Sequence, residues 1–528
     1  MPWIPGAYVA EDSPEFQRAI GWVRDLQVGG IIVSIGSPLD VAARINALQR
    51  RATMPLLIAS DLESGTAFRL NGGTPFPSNM GIGATAREAD AYAMGRITAH
   101  EGRAVGIHLA FAPVADLNNN PANPIINTRS FGEDPQAVAR LVAAEIRGLE
   151  ENGMPATAKH FPGHGDTGID SHLSLPVIAS QWQRLDSVEL VPFRAAVAAG
   201  ATAVMSAHIA LPALDSTGRP STLAPPILTG ILRDSLGFGG IVVTDALNMA
   251  GITNTYGAGE AAVLAFLAGA DLLLQPADPA VVIDAMERAL AEGRFDSTRL
   301  ERSVRRVLAL KERMGVFQQR LIPLDSVMTI VGKQEYRDVA GEIARRAVVL
   351  VEDRTGVVDS LRAGRGRRLL VVYGDETGPT AGAILANELR ARGDTITVMR
   401  LKPESGAASY DSVFAAIAAR PRAVVFAVAV RANSGRGTIG IPTALSQLLE
   451  ESACGTPTVL VSLGSPYIRG PGSMVGSYLI AWAANALTEP AVADALTGGA
   501  ISGTLPVRLP PDVPLGAGLQ RPTLIPPQ

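Results

Sequence analysis

The first 310 residues alternate between short apolar runs and longer Ala- and Arg-rich stretches with helical spacing. Each run has the length of a buried strand, and each stretch has the length of a helix. Counting 1–4 as the remnant of a first strand, the runs are 1–4, 30–35, 55–61, 106–116, 156–163, 203–209, 240–247 and 270–275. Eight strand–helix units in one even series predict a (β/α)8 barrel. Two doubly wound sheets are the alternative, but the spacing shows no break between them.

Polar side chains stand where several of these runs end. They are Asp61, Asp116, Lys159, His160, His208 and Asp245. Barrel enzymes carry their catalytic residues at the carboxyl ends of the strands, although aspartate is also common there as a helix cap. All 6 histidines of the chain lie in its first half. We therefore expect the chemistry in the first domain.

A second α/β unit follows a Pro-, Gln- and Leu-containing connector. Its apolar runs are 347–352, 368–373, 395–399, 423–430, 458–463 and 478–483. Gly-rich and helical segments between the runs predict an open sheet covered by helices on both faces, the α/β sandwich arrangement. Neither a GxGxxG nor a GxxxxGK[ST] phosphate-binding loop is present. The predicted domains are a barrel over residues 1–314, a linker over 315–336 and an α/β sandwich over 337–528.

The composition excludes several classes of function. A net charge of -4 gives no basis for binding nucleic acid or an anionic membrane surface. We find no apolar run long enough to span a bilayer, and the single Cys454 forms no internal disulfide. We expect no cofactor, and the oligomeric state stays open. The first residues lack the features of a signal peptide, and the compartment stays open: cytoplasmic for the sequence as written, exported if a leader precedes it.

Residues 159–172, KHFPGHGDTGIDSH, concentrate three histidines, two aspartates and a lysine. Three glycines and a proline exclude regular structure, so these groups are expected on a mobile loop at the end of the fifth strand. Asp170 and His172 are two positions apart, and in an extended segment their side chains point the same way. A carboxylate beside an imidazole fixes its tautomer for proton transfer. An Asp-Ser-His turn that satisfies its own backbone is the alternative, but the context favours the catalytic pair.

A zinc site is a second interpretation of this loop. His160, His164 and His172, with Asp166 or Asp170, are possible ligands. Their spacing matches neither HExxH nor CxxC, and flexible glycines suit a moving loop better than a rigid metal site. A serine hydrolase is disfavoured because no GxSxG motif is present. We therefore predict no metal.

Asp245, Lys159 and His160 each have a functional and a structural interpretation. At the mouth of a barrel, Asp245 is suited to attack an electrophilic carbon, but on position alone a helix N-cap is favoured. Lys159 and His160 are donors suited to the hydroxyl groups of a polar ligand. A salt bridge to a strand-end aspartate is the alternative for Lys159, and a hydrogen-bonded core position is the alternative for His160.

Asp61, Arg69 and Arg129 complete the candidate binding residues. Asp61 can accept hydrogen bonds from two adjacent hydroxyls, a common way to hold a sugar. Arg69 and Arg129 are fork-shaped donors on loops, for which a solvated surface position is the alternative.

The sequence resembles glycoside hydrolase family 3, in its β-N-acetylglucosaminidase branch. The motif at 159–172 carries the resemblance, and the segments 60–65 with Arg69, 111–116, 127–135 and 243–249 support it in the order of the family. Together they cover nearly the whole first domain. The second domain is similar to the α/β sandwich of the family and ends in the segment 503–510.

The resemblance implies a role for each candidate. Asp245 is the expected nucleophile, and His172 is the expected acid/base, oriented by Asp170. The residues expected to bind the sugar are Asp61, Arg69, Arg129, Lys159 and His160. The implied reaction is a two-step retaining displacement that releases terminal β-linked N-acetylglucosamine. The resemblance favours peptidoglycan fragments as the substrate, with chitin oligomers as the alternative.

Three alternatives stay open beside this hydrolase. A neutral imidazole does not repel an anion, so phosphate can compete with water, as in a β-N-acetylglucosaminide phosphorylase. A β-glucosidase or β-xylosidase of the family takes a glutamate from the second domain, for which Glu376 and Glu404 are candidates, but it lacks the Asp-x-His loop. The non-enzymatic alternative is an inactive sugar-binding scaffold.

Two departures from the family pattern bear on these expectations. Residues 62–66 read LESGT in place of the usual Glu-Gly-Gly, which leaves the fine specificity open. The expected N-terminal helix is absent, from which we expect a poorly closed barrel.

Overall fold

The computed structural model describes residues 1–374, 380–432, 439–470 and 473–524. Two compact units make up the chain. The first consists of Met1–Thr74, Ala91–Leu117 and Pro135–Tyr336, and the second consists of Pro75–Asp90, Asn118–Asp134 and Arg337–Gln528. Two segments of the barrel sequence thus belong to the second unit. Glu376 lies outside the described residues.

The first unit is a ring of parallel strands, which confirms the predicted (β/α)8 barrel. Its strands are β1 (Trp3–Pro5), β2 (Gly30–Ser34), β3 (Leu57–Ser60), β4 (Leu109–Ala110), β5 (Thr157–Phe161), β6 (Ala203–Ser206) and β7 (Ile241–Val243). β1 to β4 pair in order, as do β5 to β7. Parallel bridges from Ala110 to Ala156 and from Val114 to Lys159 join the two groups.

The eighth run closes the ring. Leu272 pairs with Val243 of β7 in a single parallel bridge. The Met1 amino group donates to the Leu273 carbonyl at 2.8 Å, and the Gln275 amide donates to the Met1 carbonyl at 2.8 Å. The expectation of a poorly closed barrel is therefore wrong. The predicted run 106–116 is regular strand only at Leu109–Ala110, and Pro113, which follows, has no amide hydrogen to donate.

Helices follow the strands of both units. They are α1 (Pro14–Arg24), α2 (Pro38–Arg51), α3 (Asn79–Thr85), α4 (Glu88–Ala104), α5 (Pro135–Glu150), α6 (Trp182–Ser187), α7 (Val191–Ala198), α8 (Ala250–Thr253), α9 (Ala258–Ala268), α10 (Pro279–Ala291), α11 (Ser297–Arg313), α12 (Leu324–Ile330), α13 (Gln334–Ala347), α14 (Val357–Ala363), α15 (Ala383–Ala391), α16 (Ala407–Ala418), α17 (Thr443–Gly455) and α18 (Thr488–Ala495). Thr66–Phe68, Asn127–Arg129 and Ser221–Leu223 are 3-10 turns, and Pro226–Ser235 is π-helical.

Local sequence explains several of the helix starts. Ser13 and Ser37 each accept a backbone amide at the start of α1 and α2, and a proline follows each serine at the first helical position. Within the predicted linker 315–336, Ile322 exchanges two hydrogen bonds with the Asn46 side chain of α2, both at 2.8 Å. This segment therefore packs on the barrel helices.

Six strands form the sheet of the second unit, as the sequence predicts. They are β8 (Val349–Asp353), β9 (Arg367–Gly374), β10 (Thr395–Leu401), β11 (Ala423–Ala429), β12 (Thr458–Ser462) and β13 (Ser477–Ile480), in the order β10–β9–β11–β12–β13–β8. Only β8 runs antiparallel to its neighbour. Alternate residues of each strand enter separate apolar clusters on the two faces, which makes the unit an α/β sandwich.

The amino end of α15 is occupied by a side chain of the protein itself. This helix follows β9, where sheets of this type commonly place an anion against free backbone amides. Here the buried Glu489 carboxylate accepts from the Gly382 amide at 3.1 Å and from the Leu385 amide at 2.8 Å.

No helix in the described part of the chain has the length and apolarity needed to cross a membrane.

Candidate active site

A buried lysine in β5 joins two carboxylates of the loop after β3. Lys159 Nζ donates to Asp61 Oδ1 at 2.7 Å and lies 2.8 Å from Glu63 Oε1. Arg69 approaches the other oxygen of Asp61 at 3.3 Å. We call these four residues the lysine cluster. The salt bridge considered for Lys159 from the sequence is thus present, and it fixes the direction in which Asp61 can accept further hydrogen bonds.

Electrostatics favour the charged form of Asp61. Burial acts to raise the pKa of Asp61, but the charges of Lys159 and Arg69 outweigh it and hold the pKa below its ordinary value. Behind the cluster, Glu145 of α5 is fully buried, and burial together with Glu63 raises its pKa well above the ordinary value. The surroundings of Glu145 therefore favour its protonated form, in contrast to Asp61.

Asp116, fully buried after β4, holds the two histidines that follow Lys159. Its Oδ2 lies 2.6 Å from His160 Nδ1, and its Oδ1 accepts from the His164 amide at 2.7 Å. Burial acts to raise the pKa of Asp116, but His160 and His164 lower it below the ordinary value. His160 is thus a hydrogen-bonded buried histidine, the alternative considered above. Asp116 thus sets the orientation of the His160 ring.

Lys159 and His160 are adjacent in β5, yet both contact carboxylates of the site. In a regular strand, neighbouring side chains point to opposite faces. Here the register between β5 and β6 shifts between Ala158 and Phe161, and such an irregularity re-aims a side chain.

Asp170 and His172 form the expected pair. Asp170 Oδ1 accepts from both the His172 amide and His172 Nδ1, each at 2.8 Å. The Asp170 side chain is fully buried, whereas the His172 side chain is 36% exposed. The segment is a turn and not extended, because the Asp170 carbonyl also accepts from the Leu173 and Ser174 amides. The turn considered from the sequence is thus present, and the same aspartate oxygen contacts the imidazole; the catalytic role of the pair stays a prediction.

The loop that carries this pair, residues 163–174, is attached at several points within the first unit. His164 Nε2 lies 2.9 Å from Ser171 Oγ, and the Ser171 carbonyl accepts from the Gly251 amide at 3.2 Å. Gly165 fits tightly, because a Cβ there would lie 1.4 Å from the Leu117 carbonyl oxygen. Beyond the loop, the Ile178 amide donates to the Ala210 carbonyl at 2.9 Å.

Asp245 follows β7 and is held as an anion. Its Oδ1 accepts from the Ala246 amide at 2.7 Å. Burial acts to raise its pKa, but His160, His208 and the Ala246 amide lower it to about 2. The charge of a protonated His172 contributes to the same lowering. The N-cap interpretation is wrong, because α8 begins only at Ala250 with Met249 at the cap position.

His208 at the end of β6 supports the backbone beside Asp245. Its Nε2 donates to the Ala246 carbonyl at 2.9 Å, and its Nδ1 lies 2.8 Å from Thr222 Oγ1. Burial lowers its pKa, so the imidazole is neutral at physiological pH.

The first unit thus brings together most of the residues that the sequence singles out. Asp61, Arg69, Lys159, His160, Asp170, His172 and Asp245 all belong to it, whereas Arg129 belongs to the second unit, where its Nη1 donates to the Ile125 carbonyl at 3.1 Å. Among the described residues, no three His, Cys, Asp or Glu side chains are grouped to hold a metal ion.

The sequence analysis gave no role in sugar binding or catalysis to four residues that organise the site. They are Glu63, Asp116, His164 and Ser171. The position of Asp116 at the end of an apolar run could have indicated a place in the site. Glu63 lies within the segment that departs from the family pattern, and His164 and Ser171 lie within the motif at 159–172.

A barrel with carboxylates, a lysine and an Asp–His pair at the carboxyl ends of its strands has the features of a glycoside hydrolase. Residues 12–310 match the model described as glycosyl hydrolase family 3 N terminal domain. The β-N-acetylglucosaminidase/β-glucosidase of Cellulomonas fimi is 31% identical over 476 residues, which cover 86% of this chain and 83% of that protein. The chain belongs to glycosyl hydrolase family 3.

Solved structures extend the similarity to both domains. The family 3 β-N-acetylglucosaminidase from Paenibacillus sp. str. FPU-7 is 32% identical, with a TM-score of 0.86, and the match covers 97% of this chain and 98% of that one. A β-glucoside phosphorylase, solved with bound 2FGlc, is 26% identical with a TM-score of 0.86, over 96% of this chain and 92% of that one. The expected family, fold class and glycoside hydrolase activity are confirmed.

Proposed function

We propose that this glycoside hydrolase is a retaining exo-β-N-acetylglucosaminidase that releases terminal β-linked N-acetylglucosamine from peptidoglycan fragments. The observation that carries the mechanism is the Asp170–His172 contact of 2.8 Å, on a loop hydrogen-bonded to the segment that follows Asp245. The names of the relatives from Cellulomonas fimi and Paenibacillus support the choice of sugar.

The sugar is bound in this proposal by the lysine cluster and its neighbours. Asp61 accepts from ring hydroxyls, while Lys159, His160 and Arg69 donate to them. For Arg129, sugar binding stays a prediction from the family motif in which it lies. Charged hydrogen bonds from buried donors are stronger than those from neutral ones, so this set can fix one sugar ring in a single orientation.

In the first step, Asp245 attacks the anomeric carbon while the His172 imidazolium gives its Nε2 proton to the glycosidic oxygen. The C–O bond to the leaving group breaks, and a glycosyl ester forms on Asp245. In the second step, the neutral imidazole takes a proton from water, which attacks the same carbon and releases the carboxylate. Two inversions retain the β configuration. Because its pKa is about 2, Asp245 is ionised throughout the pH range in which histidine exchanges protons.

Mass spectrometry of the trapped intermediate tests this function. In His172→Ala, a 2,4-dinitrophenyl N-acetyl-β-glucosaminide should still react in the first step, because its leaving group departs without protonation. Release from the enzyme should then be slow, and the peptide that contains Asp245 should carry one N-acetylglucosaminyl group. Asp245→Ala should form no adduct and lose activity by about 10⁴-fold or more.

An exposed aspartate provides the control for this experiment. Asp234→Ala changes a surface carboxylate of the same barrel and should leave both the adduct and the turnover unchanged. An active enzyme that never accumulates an adduct would point to participation of the N-acetyl group of the substrate in place of Asp245. Complete inactivity of the folded protein on N-acetylglucosaminides would contradict the proposed sugar.

The preference for peptidoglycan fragments over chitin oligomers is tested with natural substrates of both kinds. Muropeptides that end in N-acetylglucosamine should be cleaved with a higher kcat/KM than chitin disaccharide. The reverse order would redirect the proposal to chitin oligomers.

Phosphorolysis is a second candidate, favoured by the similarity to the β-glucoside phosphorylase. The imidazole of His172 does not repel an incoming phosphate dianion as a carboxylate would. Adding inorganic phosphate should then divert the glycosyl enzyme to N-acetylglucosamine 1-phosphate. Product analysis with and without phosphate separates the two activities, and free sugar as the sole product would exclude phosphorolysis.

A β-glucosidase is tested in the same assay with a matched glucoside, because the Cellulomonas fimi relative carries both activities in its name. This alternative needs an acid/base glutamate from the second domain. Glu404, one candidate, is a highly exposed side chain beside Lys402. Faster turnover of the glucoside, together with loss of activity in Glu404→Gln, would favour the glucosidase.

A further inference from the structure

Ser171, between the two members of the Asp170–His172 pair, makes one hydrogen bond to each side of the site. Its side chain meets His164 Nε2 at 2.9 Å, and its carbonyl accepts from the Gly251 amide at 3.2 Å. Both His164 and Ser171 are nearly completely buried. We call these two contacts the Ser171 bridge.

On one side, the Ser171 bridge ends at a residue that is itself rigidly held. The His164 amide donates to Asp116 Oδ1 at 2.7 Å, and the same carboxylate holds His160. Burial lowers the pKa of His164 to about 4, so its imidazole stays neutral at physiological pH and keeps one nitrogen for the serine hydroxyl. The sugar-binding side of the site and the loop are therefore connected through His164.

On the other side, the Ser171 bridge ends on the segment that carries the nucleophile. Gly251, six positions after Asp245, lies under the loop with little free space. A Cβ at this glycine would lie 3.1 Å from the Ser171 carbonyl oxygen and 3.4 Å from His208 Cβ. The loop thus rests directly on the backbone that follows Asp245.

We infer that Ser171 is a positioning residue, whose two hydrogen bonds set the distance at which His172 protonates the leaving group of a sugar engaged by Asp245. This inference rests on the proposed function and adds a role that the sequence motif does not assign. A serine at this place has a direct effect on the imidazole because His172 is the next residue. A shift of about 1 Å in a catalytic group can cost about 100-fold in rate.

Two substrates of different leaving-group quality separate positioning from a general defect. A methyl N-acetyl-β-glucosaminide needs a proton on its leaving oxygen, whereas a 2,4-dinitrophenyl glycoside does not. Ser171→Ala should lower kcat/KM for the methyl glycoside by about 10- to 100-fold and for the dinitrophenyl glycoside by less than about threefold. His172→Ala should show the same pattern with a larger loss.

Ser174→Ala is the matched control, because Ser174 is a serine of the same loop for which the described residues show no side-chain hydrogen bond. It should leave both substrates unaffected. Gly251→Ala leaves the sequence at Ser171 unchanged but places a Cβ 3.1 Å from the Ser171 carbonyl oxygen, so it should disturb the second contact of the bridge. It should therefore repeat the leaving-group pattern of Ser171→Ala. In a double-mutant cycle, Ser171→Ala and His164→Leu together should cost no more than the larger single change, because both remove the same hydrogen bond.

The inference and the proposed function fail in different ways. An equal loss on both substrates in folded Ser171→Ala, judged by its thermal unfolding, would overturn the positioning role. Equal activity of Ser171→Ala and the unchanged enzyme would do the same. Loss of the covalent adduct on Asp245, or no activity of the unchanged enzyme on either N-acetylglucosaminide, would instead contradict the proposed function.

Discussion

The lysine cluster and the 163–174 loop hold their reactive groups in opposite ways. In the lysine cluster, Lys159 is 2% exposed and is paired with two carboxylates at 2.7 and 2.8 Å. On the loop, the orienting Asp170 is buried, but the His172 imidazole is 36% exposed and meets Asp170 through one nitrogen alone. The lysine cluster thus holds the charge of Lys159 between two carboxylates, whereas the loop holds His172 by Nδ1 and leaves its ring partly exposed to solvent.

The difference follows from what each region is proposed to do. Binding a sugar gains from donors and acceptors that need no rearrangement, and buried charged pairs supply them. Proton exchange with a leaving group and then with water needs a nitrogen that solvent can reach. A fully buried His172 would exclude the water of the second step. The comparison therefore predicts that changes in the lysine cluster affect stability and activity together, while changes at His172 affect activity alone.

Lys159→Met should have the largest effect, because it leaves the buried Glu63 and the partly buried Asp61 without their common cation. Removing one partner of a buried ion pair costs about 3–5 kcal/mol of stability. Activity should be lost as well, since a sugar-binding donor disappears. Urea unfolding and chromogenic assays measure the two effects. Lys402→Met, at an exposed ion pair, is the control and should change neither.

His172→Ala should lower kcat by about 10²- to 10⁴-fold on a substrate with a poor leaving group, the usual contribution of a general acid. The free energy of unfolding should change by less than about 0.5 kcal/mol, because the imidazole is 36% exposed and Asp170 keeps its hydrogen bond from the backbone amide of residue 172. Parallel measurements of kcat and of urea unfolding check both. A large loss of stability would remove the distinction between the two regions.

Gly165→Ala tests the place where the loop meets the rest of the site. The added Cβ would lie 1.4 Å from the Leu117 carbonyl oxygen, so the loop or the segment after β4 must move. Overpacking of this kind costs about 1–3 kcal/mol, and activity should fall with it. Gly257→Ala is the control, since the space around Gly257 is open. Unchanged stability and activity in Gly165→Ala would show that the loop is not packed as described.

The buried histidines should make the protein lose stability in mild acid. Burial lowers the pKa of His164 from 6.5 to about 4 and that of His108 from 6.5 to about 3. Between these values and pH 6.5, the unfolded chain binds protons that the folded protein does not. The free energy of unfolding therefore has its full value above pH 6.5. As the pH falls below 6.5 toward the pKa of each folded histidine, it decreases by about 1.4 kcal/mol per pH unit for each histidine.

His108→Asn isolates one of these contributions. The asparagine oxygen can accept the Ile58 amide hydrogen that His108 Nδ1 now accepts at 3.1 Å, so the fold should survive without the titrating group. Thermal unfolding from pH 7 to pH 4.5 should show a shallower loss of stability than in the unchanged protein. Parallel curves for the two proteins would refute the assignment of the acid sensitivity to His108.

Much of the fold could be predicted from the chain because its signals are local. Apolar runs of strand length, separated by helical stretches, give the order of both domains, and the pairing of the strands follows from the parallel arrangement. The Asp170–His172 pair was equally accessible, because two positions of separation already bring the side chains into reach. The family resemblance then assigned Asp245, for which position alone favoured a helix cap.

What the sequence by itself determined is the series of strands and the residue types at their ends. Only the tertiary structure decided which of those residues meet. Asp61 and Lys159 are 98 positions apart, and Asp116 and His164 are 48 apart, so no local spacing predicts their contacts. The physical reason is that ring closure places the carboxyl ends of distant strands together, and burial then requires each charge to find a partner.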